Sequence, residues 1–391
     1  MISPVMPTYA RTAHAFVKGE GAWLVDETGR RHLDFGAGIA VNCLGHAHPK
    51  LVAALTEQAG QLWHTSNLYR VPNQEKLARM LTENTFADTA FFTNSGAEAM
   101  ELCIKLARKY QSHIGHPEKT EIITFEGCFH GRTIATISAA GAPKLTDGFG
   151  PLLEGFNQVP FGDVDALRAA ITDKTAAIFV EPVQGEGGII PAPAGFLTTI
   201  RALCDEAGAL MVLDEIQCGV GRTGKLFAHE WSGVTPDVMG IAKGIGGGFP
   251  IGACLATERA AAGMVAGTHG STYGGNPLGA AVACAVLDEV LSDGFLDNVR
   301  RTASALNQKL GALIDAHPDI LESARGEGLM MGIKCKAVNM DLVKACYEQD
   351  LLTVPAGDNV VRILPPLNVT SDEIDIAISK IDAACSALET A

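Results

Sequence analysis

Two periodicities run through the chain. Continuous apolar runs of strand length, with no polar face, recur at Thr89–Thr93, Glu121–Phe125, Ala176–Val180, Leu210–Leu213 and Asp237–Ala242. Near them lie segments with apolar residues at helical spacing: Leu51–Leu62, Gln74–Thr82, Met100–Tyr110 and Phe196–Ala207, the last stopped by Gly208. Strands apolar on both faces, with helices between several of them, predict a mainly parallel sheet covered on both sides. Ile134–Ser138 predicts one further extended run. Trp23–Phe35 alternates around Glu27-Thr28-Gly29 and predicts a hairpin, while residues 1–20 and 36–49 read as irregular. Beyond this, Pro277–Leu291, Phe295–Ile314, Asp341–Glu348 and Ser371–Leu388 predict helices, and Leu329–Cys335 and Val360–Leu364 predict strands. That tail predicts a second, smaller α+β domain starting near residue 280.

In an open parallel sheet, ligands bind at the carboxyl ends of the strands. Asn94, Glu181, Asp214 and Lys243 all fall just past predicted strand ends. Lys243 is the only lysine between Lys225 and Lys309 and is followed by Gly244 and Gly246–Gly248. Such an amine is either a surface lysine in a glycine loop or an activated nucleophile toward a carbonyl cofactor. Asn94-Ser95-Gly96-Ala97-Glu98 joins a strand to a helix with small residues. This is an anion cradle at a helix N-terminus or an ordinary N-cap with Glu98 in the first turn.

Composition narrows the classes. With 391 residues, 47% hydrophobic and 19% charged, the chain is globular and long enough for more than one domain. Its net charge of -14 argues against a nucleic-acid or anionic-membrane partner. Ten scattered cysteines without CxxC spacing read as small buried hydrophobes in a reducing compartment, with no zinc motif. No signal-type segment and no long apolar run occur, so the expectation is cytoplasmic. His46 and His48 read as ordinary turn histidines.

Gly219-Val220-Gly221-Arg222-Thr223-Gly224-Lys225 imitates a nucleotide loop, but Leu226 stands where the magnesium-binding hydroxyl belongs. Gly233 and Pro236 also interrupt the helix that should follow. The features converge instead on pyridoxal 5′-phosphate (PLP), which needs an amine, a phosphate cradle, an acid for its ring nitrogen and a flat apolar wall. Lys243, Gly96 with Ala97, Asp214 and Phe129 are the candidates.

The order of NSGAEA (94–99), FHGRT (129–133), EPVQGEGG (181–188), DEIQCGVGRTG (214–224), Lys243 and HGSTYGGNPLG (269–279) resembles the class III aminotransferases of PLP fold type I. The GIAVNCLGHAHPK stretch at 38–50 fits the same pattern, and the likeness spans nearly the whole chain. The resemblance implies a large domain with a mainly parallel seven-stranded sheet flanked by helices, plus a smaller α+β domain. The expected divisions are an N-terminal segment, 1–45, packing with the small domain, the PLP-binding domain, 46–280, and the small domain, 281–391. It also implies a homodimer with shared active sites.

The same resemblance assigns roles. Lys243 would join the cofactor's aldehyde and then carry protons. Asp214 would face the ring nitrogen and Gln217 the phenolic oxygen. Gly96 and Ala97 would hold the phosphate, with Thr272 from the other subunit; Ala97 departs from the Thr or Val of many relatives. Phe129 would stack on the ring, Arg132 would bind a substrate carboxylate, and Ser271 would lie near the substrate. Glu186 would cover Arg362 while the amine donor reacts, then release it for 2-oxoglutarate or glutamate. The implied reaction is ping-pong transamination in arginine biosynthesis, with N2-acetylornithine as first-choice donor. Succinylornithine, N-succinyl-diaminopimelate, ornithine and 4-aminobutyrate remain open as donors. The glycines after Lys243 are expected to give the lysine room to swing.

Overall fold

The structure is a computed structural model that describes residues 4–12 and 14–390. Residues 1–3, Ala13 and Ala391, at or within the ends of the expected divisions, lie outside the described residues.

The centre is a seven-stranded sheet in the spatial order Thr89–Thr93, Gly252–Ala256, Val238–Ile241, Leu210–Asp214, Thr175–Val180, Glu121–Phe125, Phe156–Val159. All neighbours are parallel except Gly252–Ala256, which runs against both of its partners. The strands at 175–180, 210–214, 238–241 and 252–256 are buried at every residue, which is why they carry apolar runs rather than alternation. Helices Gly96–His113 and Phe196–Ala207 contribute to the layers that bury them.

The structure departs locally from the sequence expectations: within residues 1–20, expected to be irregular, Phe16–Glu20 is a strand, added to the hairpin edge by its backbone hydrogen bonds. Ile134–Ser138 is not extended: it lies in a helix, Ile134–Ala140, with Thr133 and Thr136 forming a capping box and Gly141 closing it in the left-handed conformation. Capping at both ends outweighs the strand preference of its β-branched residues. Two strands were hidden. Phe156–Val159 is an edge strand with exposed Asn157 and Gln158. Gly252–Ala256 is built of small residues, because it packs against helix Gly96–His113, whose Cys103 sulfur lies 3.5 Å from that of Cys254.

The N-terminal hairpin, Trp23–Asp26 with Arg31–Asp34, is joined on one edge by Phe16–Glu20. On the other edge it pairs, in parallel, with Leu351–Leu352 from the C-terminal part. Trp23 Nε1 donates to Glu373 Oε1 at 3.0 Å in the last helix. The C-terminal part is an antiparallel sheet, 321–327, 330–335, 360–363 and 354–356 in spatial order, covered by helices Phe295–Ala316, Asn339–Glu348 and Ser371–Glu389. All ten cysteines are free and buried.

Candidate active site

The carboxyl ends of the central strands open into a cavity of about 420 Å³. Gly96, Ala97, Phe129, Arg132, Asp214, Gln217 and Lys243 all line it. Each reaches it by a simple local rule. Lys243 follows strand Val238–Ile241 in a one-turn 3₁₀ segment and takes a left-handed φ of 47°. Asp214 is the last residue of its strand. Gly96 and Ala97 open an 18-residue helix whose N-cap, Ser95, spends its hydroxyl on the Glu98 amide. The two N–H groups ahead of that amide therefore stay available, so the cap and the anion cradle coexist.

Electrostatics distinguish the buried groups. Burial lowers the Lys243 pKa, with the Glu186 and Asp214 carboxylates pulling the other way. Among the described residues no hydrogen bond ties the amine down; a desolvated lysine amine is activated as a nucleophile. Asp214 is 3% exposed; its Oδ2 lies 2.7 Å from His130 Nδ1 and its Oδ1 accepts from the Ile216 amide at 3.0 Å. Burial works against an imidazolium at His130, but the adjacent Cys128 sulfur and the Asp214 carboxylate raise its pKa well above the ordinary range. Glu181, also lining the cavity, accepts from the Phe129 and Gly185 amides. Burial, and then repulsion from Asp214, pushes its carboxyl up to about 8.

Phe129 brings an aromatic ring to the cavity lining, with the Arg132 guanidinium 5.6 Å from its ring centre. Gln217 comes so close to Gly185 that a Cβ there would lie 2.5 Å from its carboxamide carbon, so a side chain at 185 would displace Gln217. An amine, a helix N-terminus, a buried carboxylate backed by histidine and an aromatic face within one volume meet the four needs of PLP.

Four expected residues lie outside this cavity lining. Glu186 and Arg362 pair with each other, Oε1 to Nη1 at 2.5 Å. Arg362 Nη1 also approaches Gln217 Oε1 at 3.4 Å, which links the pair to the cavity, and Nη2 donates to the Pro355 carbonyl. Ser271 Oγ lies 3.4 Å from Asn94 Nδ2 at the rim. Thr272 is exposed on the surface of its own chain.

Sequence reasoning missed His130 as the partner of Asp214 and left Glu181 without a role. His130 sits next to Phe129, and nothing in the one-letter pattern says which neighbour turns toward the carboxylate. Of the glycines after Lys243, Gly247, at φ 53°, has no room for a side chain, since a Cβ there would crowd Leu51. The false nucleotide loop is a tie between regions, where buried Arg222 donates to the Leu329 and Pro365 carbonyls. His46 Nε2 sits 2.8 Å from Asp34 Oδ2.

The family model described as aminotransferase class-III matches residues 6–385. Acetylornithine aminotransferase of Rhodobacter capsulatus is 62% identical over 390 residues, covering 100% of this chain and 99% of its own. Among solved structures, the N-acetylornithine aminotransferase of Stenotrophomonas maltophilia K279a superposes with a TM-score of 0.86 at 40% identity, covering 98% of both chains. An ornithine aminotransferase of Toxoplasma gondii, described with partial occupancy of PLP at its active site, reaches 0.94 at 33% identity, over 99% of this chain and 93% of its own.

Proposed function

Because the chain belongs to the class-III aminotransferases, PLP-dependent transaminases of fold type I, we propose that it moves the amino group of N2-acetylornithine to 2-oxoglutarate. The products are N-acetylglutamate 5-semialdehyde and glutamate, a reversible ping-pong exchange that serves arginine biosynthesis. The carrying observation is that Lys243 and Asp214 line one cavity, with the Glu186–Arg362 pair beside it.

Gly96 and Ala97 would hold the cofactor phosphate, with Thr272 of a second copy. Phe129 would cover the ring face, Gln217 the phenolic side and Asp214 the ring nitrogen. Lys243 would bind the aldehyde carbon. When bound, PLP supplies an aldehyde that exchanges amines and a ring that accepts electron density from the substrate carbon. Lys243, kept uncharged more readily by burial, takes and returns the proton at that carbon. His130 orients Asp214 through the 2.7 Å contact. Arg132 grips a substrate carboxylate as a fork. Arg362, covered by Glu186, is released only for the dicarboxylic partner.

A homodimer fits this reading. Exposed Trp63, Leu68, Tyr69 and Tyr273 cluster near the loop of Ser271 and Thr272, which Asn67 holds through the Ser271 and Gly274 carbonyls. The divisions near residues 45 and 280 and a cytoplasmic location belong to the same proposal. No helix among the described residues is long and apolar enough to cross a membrane.

The test is a donor panel on the purified holoenzyme, following cofactor absorbance in single turnovers. Acetylornithine should give the highest kcat/KM, ahead of succinylornithine, ornithine and 4-aminobutyrate. A higher value for ornithine or 4-aminobutyrate overturns the donor assignment while leaving transamination intact.

A further inference from the structure

Three side chains from the N-terminal part converge on one point, outside the lining of the cavity. His14 Nδ1 and His32 Nε2 lie 3.1 and 3.2 Å from the same oxygen, Asp26 Oδ2. The three ligand-type atoms fall within 4.8 Å of one another. Asp26 ends strand Trp23–Asp26 and His32 lies on its neighbour Arg31–Asp34, whereas His14 arrives from the chain ahead of Phe16–Glu20. Ligand atoms bound at 2.0–2.1 Å around a tetrahedral zinc ion stand about 3.3 Å apart. The two measured edges match that spacing and are bridged by hydrogen bonds to Asp26 Oδ2, whereas the edge between the two imidazole nitrogens, bounded at 4.8 Å, would close on binding.

The surroundings are built as ligand supports. Asp26 Oδ1 accepts from Thr28 Oγ1 at 2.7 Å, the Thr28 amide at 2.9 Å and the Arg30 amide at 3.0 Å. These bonds fix the carboxylate and aim Oδ2 at the histidines. Behind His32, Nδ1 makes no hydrogen bond: Asp350 Oδ1 is 3.5 Å away and pairs with Arg30 Nε. Tyr347 stacks on His32 and meets His14 edge-on, with ring centres 5.7 and 5.4 Å away. Asp26 and His32 are buried, but the His14 side chain is 33% exposed, which leaves an entry path and room for water as the fourth ligand.

We propose that His14, Asp26 and His32 bind one zinc ion per chain, with water completing a tetrahedron. The ion would fasten the segment carrying His14 to the hairpin. The hairpin is already joined to the C-terminal part, since the Leu33 amide donates to the Asp350 carbonyl. Two imidazoles and one carboxylate suit zinc better than calcium or magnesium, which favour all-oxygen sets. Sequence separation hid the cluster, because the three ligands follow no close motif.

The test uses chelator-washed holoenzyme titrated with Zn²⁺ in competition with a chromophoric chelator, and with Co²⁺ for its tetrahedral absorption bands. One saturable site per chain is expected, with cobalt bands of a nitrogen–oxygen tetrahedron. His14→Ala, a partly exposed position outside the cavity, should keep transaminase activity but lose the tight site. No saturable binding by the wild-type chain would overturn the proposal. So would equal stoichiometry and affinity in His14→Ala, which would assign the metal to thiols or to the cofactor.

Discussion

The pairing of Glu186 with Arg362 makes a directional prediction about the two half-reactions. Arg362 is 1% exposed and holds Glu186 Oε1 at 2.5 Å, the Pro355 carbonyl at 2.9 Å and Gln217 at 3.4 Å. If Arg362 takes the α-carboxylate of glutamate, Arg362→Ala removes two charge-assisted bonds. At about 1.5–3 kcal/mol each, less what water returns, the loss is about 3 kcal/mol, or roughly a hundredfold in kcat/KM. The acetylornithine half-reaction, which does not use the free arginine, should fall by less than about tenfold. Glu186→Ala has the opposite signature. Removing one partner of a buried pair costs about 3–5 kcal/mol, but Glu186 is itself 30% exposed, so about 1–2 kcal/mol is a better measure here. That penalty falls on the free enzyme and is relieved when a substrate carboxylate replaces Glu186. The glutamate half-reaction should therefore be unchanged or up to about tenfold faster at low substrate, while the acetylornithine half-reaction slows. Stopped-flow absorbance of each half-reaction alone measures both. Equal losses in the two half-reactions, in either variant, would refute the switching argument.

Other expectations follow from the same geometry. Lys243→Ala should abolish turnover while leaving the melting temperature within a few degrees of wild type, because it removes an amine whose charge burial disfavours; residual catalysis above about one part in a hundred would contradict its role. Glu181 is raised from 4.5 to about 8, so its stabilising contribution is complete below the unfolded value and is lost as pH climbs through 8. Glu181→Gln should flatten that decline, worth on the order of a few kcal/mol, and urea unfolding at pH 5 and pH 8 showing the same decline in both proteins would count against it. Gly185→Ala should push Gln217 aside and weaken PLP retention about tenfold or more, read by equilibrium dialysis; unaltered retention would mean Gln217 does not touch the cofactor.

How much of this was legible depends on what kind of signal each residue leaves. Strands buried on both faces announce themselves as apolar runs, so the strand ends at Asn94, Glu181, Asp214 and Lys243 are readable in the sequence. Strand Gly252–Ala256 left no such trace, because close packing against the Gly96–His113 helix selects small residues, and small residues carry little strand preference. Ile134–Ala140 misled in the other direction: its β-branched residues spoke for a strand, while Thr133, Thr136 and Gly141 settled it as a helix. Residues that act through one partner are harder still. His130 matters because its Nδ1 meets Asp214, and the Glu186–Arg362 pair spans 176 positions of chain. Such contacts are properties of the fold, and a single sequence offers them only through likeness to relatives. The cluster of His14, Asp26 and His32 marks the limit of that route, since it was visible only once the hairpin brought the three side chains within reach of one another.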